Sequence, residues 1–361
     1  MADSVNQERR RFFGAAGKAV GVLGAARFGV IGSAIQQLAC AALSNQGTIP
    51  SLSGATEWLN SPPLRAEGLR GKVVLVDFCT YTCVNWLRTL PYVRAWADKY
   101  RDDGLVVIGA HTPEFPFERD VDNIRWALKE MDVRYPIAVD SDYGLWRAFD
   151  NNYWPAAYIA DVNGRIRYHH FGEEAYDEQE RVIQKLLTES GRKIDNELVK
   201  VTPRGLEVAA DFGHLRSPES YLGYERAESF AGNAVEDTPR SYTIPPSLSL
   251  NQWGLSGNWT VKGKGAELNE PNGRIAFRFH ARDANLILGP PRGSKPVRFN
   301  IKVDGNPPGA AHGTDIDESG NGIADRQRTY QLVRERQSIT DRQFEIQFPE
   351  PGVEAFCFTF G

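Results

Sequence analysis

The sequence is short of cysteine, of net charge and of long apolar runs, and each shortage excludes something. Four cysteines in 361 residues are too few for a disulfide scaffold. Lys and Arg number 42 against 46 Asp and Glu, a net charge of −4, so no bulk electrostatic attraction to nucleic acid is expected. The most apolar stretch, Gly14 to about Ala42, is broken by Lys18 and Arg27. A membrane span needs roughly 20 uninterrupted apolar residues, so no span is expected in the mature chain. What is present is a globular composition, 41% hydrophobic, 24% charged and 11% aromatic, which excludes disordered and collagen-like chains. The length exceeds one ordinary domain and suggests two with a tail.

The first 45 residues have the layout of an export signal. Arg9, Arg10 and Arg11 precede Phe12 and Phe13, a Gly/Ala-rich apolar stretch follows, and no acid occurs between Glu8 and Glu57. A basic start, an apolar middle and a small-residue end make a signal peptide. The paired arginines followed by Phe-Phe resemble a twin-arginine signal. Ala39-Cys40-Ala41 suits a cleavage point. The expected location is periplasmic or extracellular, where thiols meet oxidising conditions.

Residues 46–192 read as an α/β domain. Lys72–Phe78 is a buried strand rich in β-branched residues, and Gly104–His111 a second. Between them, Trp86–Tyr100 carries helical spacing interrupted by Pro91. Val121–Met131 reads as a helix, Tyr135–Val139 and Ala156–Asp161 as strands. Asn163-Gly164 turns the chain into a strand over Arg165–His169, and Gln179–Leu187 closes with a helix. This order predicts a sheet with helices on both faces.

The segment VDFCTYTCVNWLRTLP, Val76 to Pro91, resembles the redox-site segment of thioredoxins. GLVVIGAHTPEF, YWPAAYIAD and GRIRYHHFGE extend the likeness toward the DipZ and TlpA type of extracytoplasmic redoxin. The resemblance implies that Cys83 is the nucleophile at the start of a helix, where free N–H groups and the dipole favour thiolate. It implies a cis Trp154-Pro155 bond beside the nucleophile, where Pro155 exposes backbone for an extended substrate. The register departs from the family at two points: Trp86 stands where the second cysteine is expected, and Cys79 where a Trp is expected.

Release of a mixed disulfide needs a second thiol, so three readings stay open. Cys79 resolves Cys83, Cys83 works as a monothiol, or the site has lost its chemistry and the domain only binds. As a resolving partner, Cys79 requires the Thr80-Tyr81-Thr82 turn to fold back on itself. A further alternative is a Sco-like Cu(I) chaperone, with both thiols and His111, His169 or His170 as ligands. Glu114, after the second strand, is a candidate proton carrier or thiol-orienting group. Arg88, one turn beyond Cys83, is a candidate anchor for thiolate or a substrate carboxylate, or a surface salt bridge. Tyr81, Trp86, Trp126, Trp146 and Trp154 frame a groove or pack in the core. Expected partners are protein or small-molecule thiols and disulfides, with no cofactor and no resident metal.

Residues 193–216 read as a linker and 217–361 as a second domain. Seven short apolar stretches separated by Gly, Pro and Asn, with no convincing helix, predict an antiparallel β-sandwich. SPESYLGYERAESF and GVEAFCFTFG resemble the jelly-roll-like, carbohydrate-binding-module-like sandwich that follows the thioredoxin-like part in DipZ-type proteins. The expectation is a chain without the membrane electron-transfer domain that precedes these two there. The sandwich is expected to dock a glycan or a protein. Trp253 and Trp259 stack on sugar or fill the core. Asp315 to Gly320 begins like a calcium loop, but Arg326 stands where that loop needs Glu. Cys357 reads as core filler.

Overall fold

The computed structural model describes residues 47–361; the expected signal, with Cys40, lies outside them. The first part contains β1 (Glu57–Leu59), α1 (Ala66–Leu69), β2 (Val73–Cys79), α2 (Val84–Lys99), β3 (Leu105–His111) and α3 (Val121–Glu130). It continues with β4 (Ile137–Val139), α4 (Gly144–Ala148), β5 (Ala156–Ala160), β6 (Ile166–Phe171) and α5 (Tyr176–Glu189). The strands form one sheet in the order β1-β4-β3-β2-β5-β6. β2, β3 and β4 run parallel, while β5 and β6 return antiparallel.

Every residue of β2 is buried, as expected of a strand covered on both faces. Its side chains alternate between two cores. Val73, Leu75 and Cys79 join α2, α3 and α5 on one face. Val74, Val76 and Phe78 pack with Leu145 and Phe149 on the other. This is the α/β arrangement that the resemblance implied. The short elements β1, α1 and α4 carry too few periodic residues to be legible in the sequence.

Residues 193–216 hold no helix or strand beyond one 3-10 turn at Gly205–Glu207 and a hydrogen-bonded turn from Asp211 to His214. This stretch is not free of the first domain: Ile194, Val199 and Leu206 pack against its core.

The second part is all β. It comprises β7 (Ser220–Tyr221), β8 (Arg240–Tyr242), β9 (Trp253–Val261), β10 (Ala266–Leu268), β11 (Gly273–Phe279) and β12 (Asp283–Gly289). The rest are β13 (Val297–Val303), β14 (Asn321–Ala324), β15 (Arg328–Arg334), β16 (Arg342–Phe348) and β17 (Glu354–Phe360). All seven predicted stretches fall in strands. The named strands pair antiparallel in one curled sheet, β14-β13-β16-β11-β9-β10-β17-β12-β15, with β7 on β17 and β8 on β9. The sheet folds over at β9, which pairs with β11 through Trp253–Ser256 and with β10 through Trp259–Val261. Gly257 sits at that corner with φ of +97°, and a Cβ there would lie 3.1 Å from the Gly273 backbone, so glycine suits both the bend and the close approach. The two layers enclose a core that includes Trp253, Trp259, Phe277, Phe344 and Phe358.

The outer face of the β15-β12-β17-β7 edge meets the first domain. Thr329, Ile287, Cys357 and Tyr221 stand in register across these four strands. A register shift between Ile287 and Leu288 leaves Phe356 without a cross-strand partner, and Phe356 and Cys357 both reach the interface. There Phe356 lies between Phe115 and Phe117 of the first domain, at 5.4 and 4.8 Å between ring centroids. Cys357, expected as filling of the sandwich core, belongs to this interface cluster instead. Phe356→Ala is expected to cost about 3 kcal/mol and to split one calorimetric unfolding transition into two. A single transition at the wild-type temperature would contradict an interface held by this ring.

Candidate functional site

The loop between β2 and α2 carries the cysteines. A turn through Thr80, Tyr81 and Thr82 folds the chain back, with the Cys83 amide donating to the Thr80 carbonyl at 3.1 Å. Cys83 then caps α2 in extended backbone, with φ −69° and ψ 110°. Its sulfur lies 3.8 Å from the carbonyl oxygen of Trp154, next to the cis Trp154-Pro155 bond. Cys83 is only 6% exposed. Burial pushes its thiol well up, and the carboxylates of Glu219 and Glu114 add to the effect. The amides of Trp86 and Asn85 favour the thiolate without making a conventional cap hydrogen bond. The helix terminus therefore acts in the expected direction, but desolvation and two acids outweigh it.

Beneath this loop lies a polar layer on the α2 side of the sheet. Trp86, where a second cysteine was expected, is buried and donates from Nε1 to Asp77 Oδ2 at 2.8 Å. Burial raises Asp77 to about 7, partly offset by that bond, and its Oδ1 has no hydrogen-bond partner. Cys79, two residues along the same face, is fully buried. A Cβ on Gly109 would sit 3.6 Å from its sulfur. Burial raises the Cys79 thiol, with Asp77, Cys83 and Glu118 adding to the rise. Cys79 pairs in register with His111, whose ring stacks on Tyr81 at 5.7 Å. Both His111 nitrogens lack partners, and burial lowers its pKa to about 4, so the ring is neutral at pH 7. Cys79 and Cys83 are both free thiols.

Two glutamates anchor the other side. Glu118 is fully buried. It accepts from the Thr82 hydroxyl at 2.5 Å and from the amides of Glu114 and Phe115 at 2.7 and 2.8 Å. Burial lifts it to about 7 against these hydrogen bonds. This holds Glu114 beside the Cys83 loop. Glu114 in turn reaches the second domain, accepting from Arg226 Nη1 at 2.6 Å and from the Tyr221 hydroxyl at 2.9 Å. Tyr221 also bonds Glu219 at 3.0 Å, and the Arg226 guanidinium lies 3.3 Å from the Tyr221 ring centroid. The sandwich touches the loop again where the Thr329 hydroxyl donates to the Thr82 carbonyl at 2.7 Å.

Arg88 departs from the surface role considered for it. It is buried, pairs with Glu173 at 2.9 Å and donates to the Phe360 carbonyl at 3.0 Å. Its fork is thus occupied by a structural link between the domains rather than offered to a substrate. Tyr81 and Trp86 are core. Trp146 and Trp154 pack with tilted rings at 4.2 Å, and Trp126 carries Arg326 over its ring. His169 lies on the far strand β6, and His170 bonds the Glu173 carbonyl. Among the described residues no group of three His, Cys, Asp or Glu side chains is placed to hold a metal ion. Asp315 is engaged by Arg328 and the Gln331 amide. Trp253 and Trp259 are in the core and offer no face to a sugar.

The sequence reading missed Asp77, Glu118, Glu219, Tyr221 and Arg226. Asp77, Glu219, Tyr221 and Arg226 lay inside segments already singled out. For Glu118 the available signal was its place three residues into a turn that opens with Phe115-Pro116, a capping spacing.

A family model described as "Thioredoxin like C-terminal domain" matches residues 217–361. Protein DipZ of Mycobacterium tuberculosis and that of Mycobacterium bovis are each 33% identical over 327 residues, which is 89% of this chain. This chain spans 44% of the length of those relatives. Thiol-disulfide oxidoreductase YkuV of Bacillus subtilis is 32% identical over 142 residues, 39% of this chain and 95% of the relative. The solution structure of a thioredoxin-like protein in the oxidised form is 34% identical with a TM-score of 0.37, over 39% of this chain and 95% of that one. No helix among the described residues is long and apolar enough to cross a membrane.

The buried carboxyl of Asp77 sets a pH dependence. Burial pushes it up to about 7 in the folded chain from an ordinary 3.8, so the folded state holds more protons within that window. The stability from this group is present at low pH and is lost as pH rises from about 4 to about 7. Urea midpoints of the wild type should therefore fall relative to those of Asp77→Asn across that range. A constant difference between the two would contradict it.

Proposed function

We propose, for a chain that belongs to the thioredoxin-like superfamily, that the first domain carries out thiol–disulfide exchange through Cys83. The observation that carries this reading is the placing of a free thiol at the first turn of α2, 3.8 Å from the carbonyl preceding Pro155. The likeness over the same domain to a protein named as a thiol-disulfide oxidoreductase supports it. Cys83 attacks a substrate disulfide as thiolate and forms a mixed disulfide, releasing one thiolate.

Cys79 then serves as the resolving thiol in place of the absent motif cysteine. The fold-back at Thr80–Cys83 sets it beneath the loop; it passes its proton to Asp77 and attacks the Cys83 sulfur, so that a Cys79–Cys83 disulfide forms, the mixed disulfide breaks and the second substrate thiolate leaves. Asp77 suits this role because its Oδ1 is unpartnered and its pKa is near neutrality. Trp86 fixes the other oxygen of that carboxyl. Glu114 orients the loop through its links to Arg226 and Tyr221. We further propose that the chain is exported, on the strength of its first 45 residues, and that its partners are extracytoplasmic thiols or disulfides.

One observation favours a second reading, that of a binding protein without the reaction: Cys83 is almost wholly covered. The two readings separate in mass spectra of the chain treated with a small disulfide. Exchange predicts an adduct on Cys83 whose rate keeps rising above pH 9, because burial and the neighbouring acids hold the thiol up. The adduct should be transient in the wild type, persist in Cys79→Ser and vanish in Cys83→Ser. Slow and equal labelling of Cys79, Cys83 and Cys357 would select the binding reading.

A further inference from the structure

The residues on either side of Cys83 are held by the sandwich. Thr329 donates to the Thr82 carbonyl at 2.7 Å, and the Tyr81 hydroxyl donates to the Gln327 carbonyl. Arg88, in the helix that Cys83 caps, donates to the Phe360 carbonyl at 3.0 Å. On the neighbouring loop, Glu114 accepts from Arg226 and from the Tyr221 hydroxyl. Farther along, Arg292 binds Asp120 and Asp122 at the exposed rim. With the domains together, 6% of Cys83 is exposed. Exchange requires a substrate sulfur in contact with this one, so part of the structure has to move.

The packing shows which part can. The sandwich core and both cores of the first domain are each built without residues of the other domain. The interface has a small cluster of its own, in which Phe115 meets Tyr221, Ile287, Phe356 and Cys357, with Phe117 against it. The other links just named are hydrogen bonds and ion pairs. Parting the domains therefore leaves the three main cores closed, and it takes less free energy than unfolding either domain.

We infer that the sandwich is a lid on the Cys83 loop. The thiol is held unreactive while Phe356 lies against Phe115 and Phe117, and it reacts from the state in which the two domains have parted. This rests on the exchange reading above and adds its regulation. The three described cysteines then fall into two groups. Cys83 and Cys357 are covered at the interface, and one motion uncovers both. Cys79 is covered by the first domain itself, where the Ile137 and Tyr135 side chains fill the space over Gly109 beside its sulfur. It stays covered when the lid lifts.

The test is alkylation of the full chain by iodoacetamide, followed at each cysteine by peptide mass spectrometry. Each rate is divided by that of the same cysteine in the urea-unfolded chain, so that the quotient reports opening. Phe356→Ala should raise the quotients of Cys83 and Cys357 together, by roughly hundredfold. Thr329→Val keeps the volume and the aromatic cluster and removes one hydrogen bond to the loop, so it serves even where the larger truncation fails to fold. It should raise both quotients by about fivefold. Cys79 should stay at its wild-type rate in both variants. An unchanged Cys83 rate in both, a rise at only one of the two interface cysteines, or a rise at Cys79 alongside them would each overturn the lid. Exchange survives those results if a small disulfide still forms its transient adduct on Cys83. Paired alkylation of Cys83 and Cys357 without any such adduct would instead overturn exchange and leave the lid.

Discussion

Burial of the Cys83 loop under a second domain is the constraint from which the rest follows. In water, a thiol at a helix start gains from the exposed amides around it. Here the Thr329–Ile287–Cys357–Tyr221 row of the sandwich removes the solvent and joins Glu219 to Glu114 of the first domain through Tyr221. Desolvation then dominates, and the same helix end that would activate the thiol only moderates the effect of burial. The interface polar groups are arranged accordingly. Arg226 neutralises Glu114, Tyr221 bridges two carboxylates, and Arg88 binds Glu173 and the Phe360 carbonyl through its two terminal nitrogens while its Nε is left without a partner.

The replacement of a motif cysteine by Trp86 has a local logic. Asp77 is a buried carboxyl inside a strand with apolar neighbours, and such a group needs a donor. The indole N–H supplies one at 2.8 Å and fills the volume beneath α2. The other oxygen has no partner, and its charge acts on Cys79 and Tyr135; the Tyr135 hydroxyl and both His111 nitrogens are also without partners. A core this rich in unpaired polar atoms is costly for stability.

The long elements were legible because burial writes itself into periodicity. β2 reads as an unbroken apolar run because it is covered on both sides, and β13 alternates because only one side is. Cys83 and Pro155 were visible from motif position. The partners across the interface were not. Tyr221, Arg226 and Glu219 lie more than 100 residues from Glu114 and Cys83 in sequence, and no local pattern reports a contact of that separation. Arg88 shows the same limit in reverse: a charged residue one helical turn from a thiol looks exposed until the C-terminal strand is laid over it. Cys357 alternates with phenylalanines as a core residue would, and a single register shift turns it outward.

The strip between the two domains has a consequence of its own. Glu180 of α5 is buried and accepts from the Val199 amide, the Trp96 indole and the Tyr100 hydroxyl. Arg94 binds Glu207 at 2.6 Å, and Ile194, Val199 and Leu206 pack against the first domain's apolar core. What reads as a tether is thus a strap, and the first domain is not whole at Arg192. Cut there, it would expose a greasy furrow along α2 and leave the Glu180 carboxylate sealed in with fewer donors. The unit that evolution can shuffle or an experimenter can express is longer than the sheet and its helices, and its true edge lies beyond the strap, where the chain enters the sandwich.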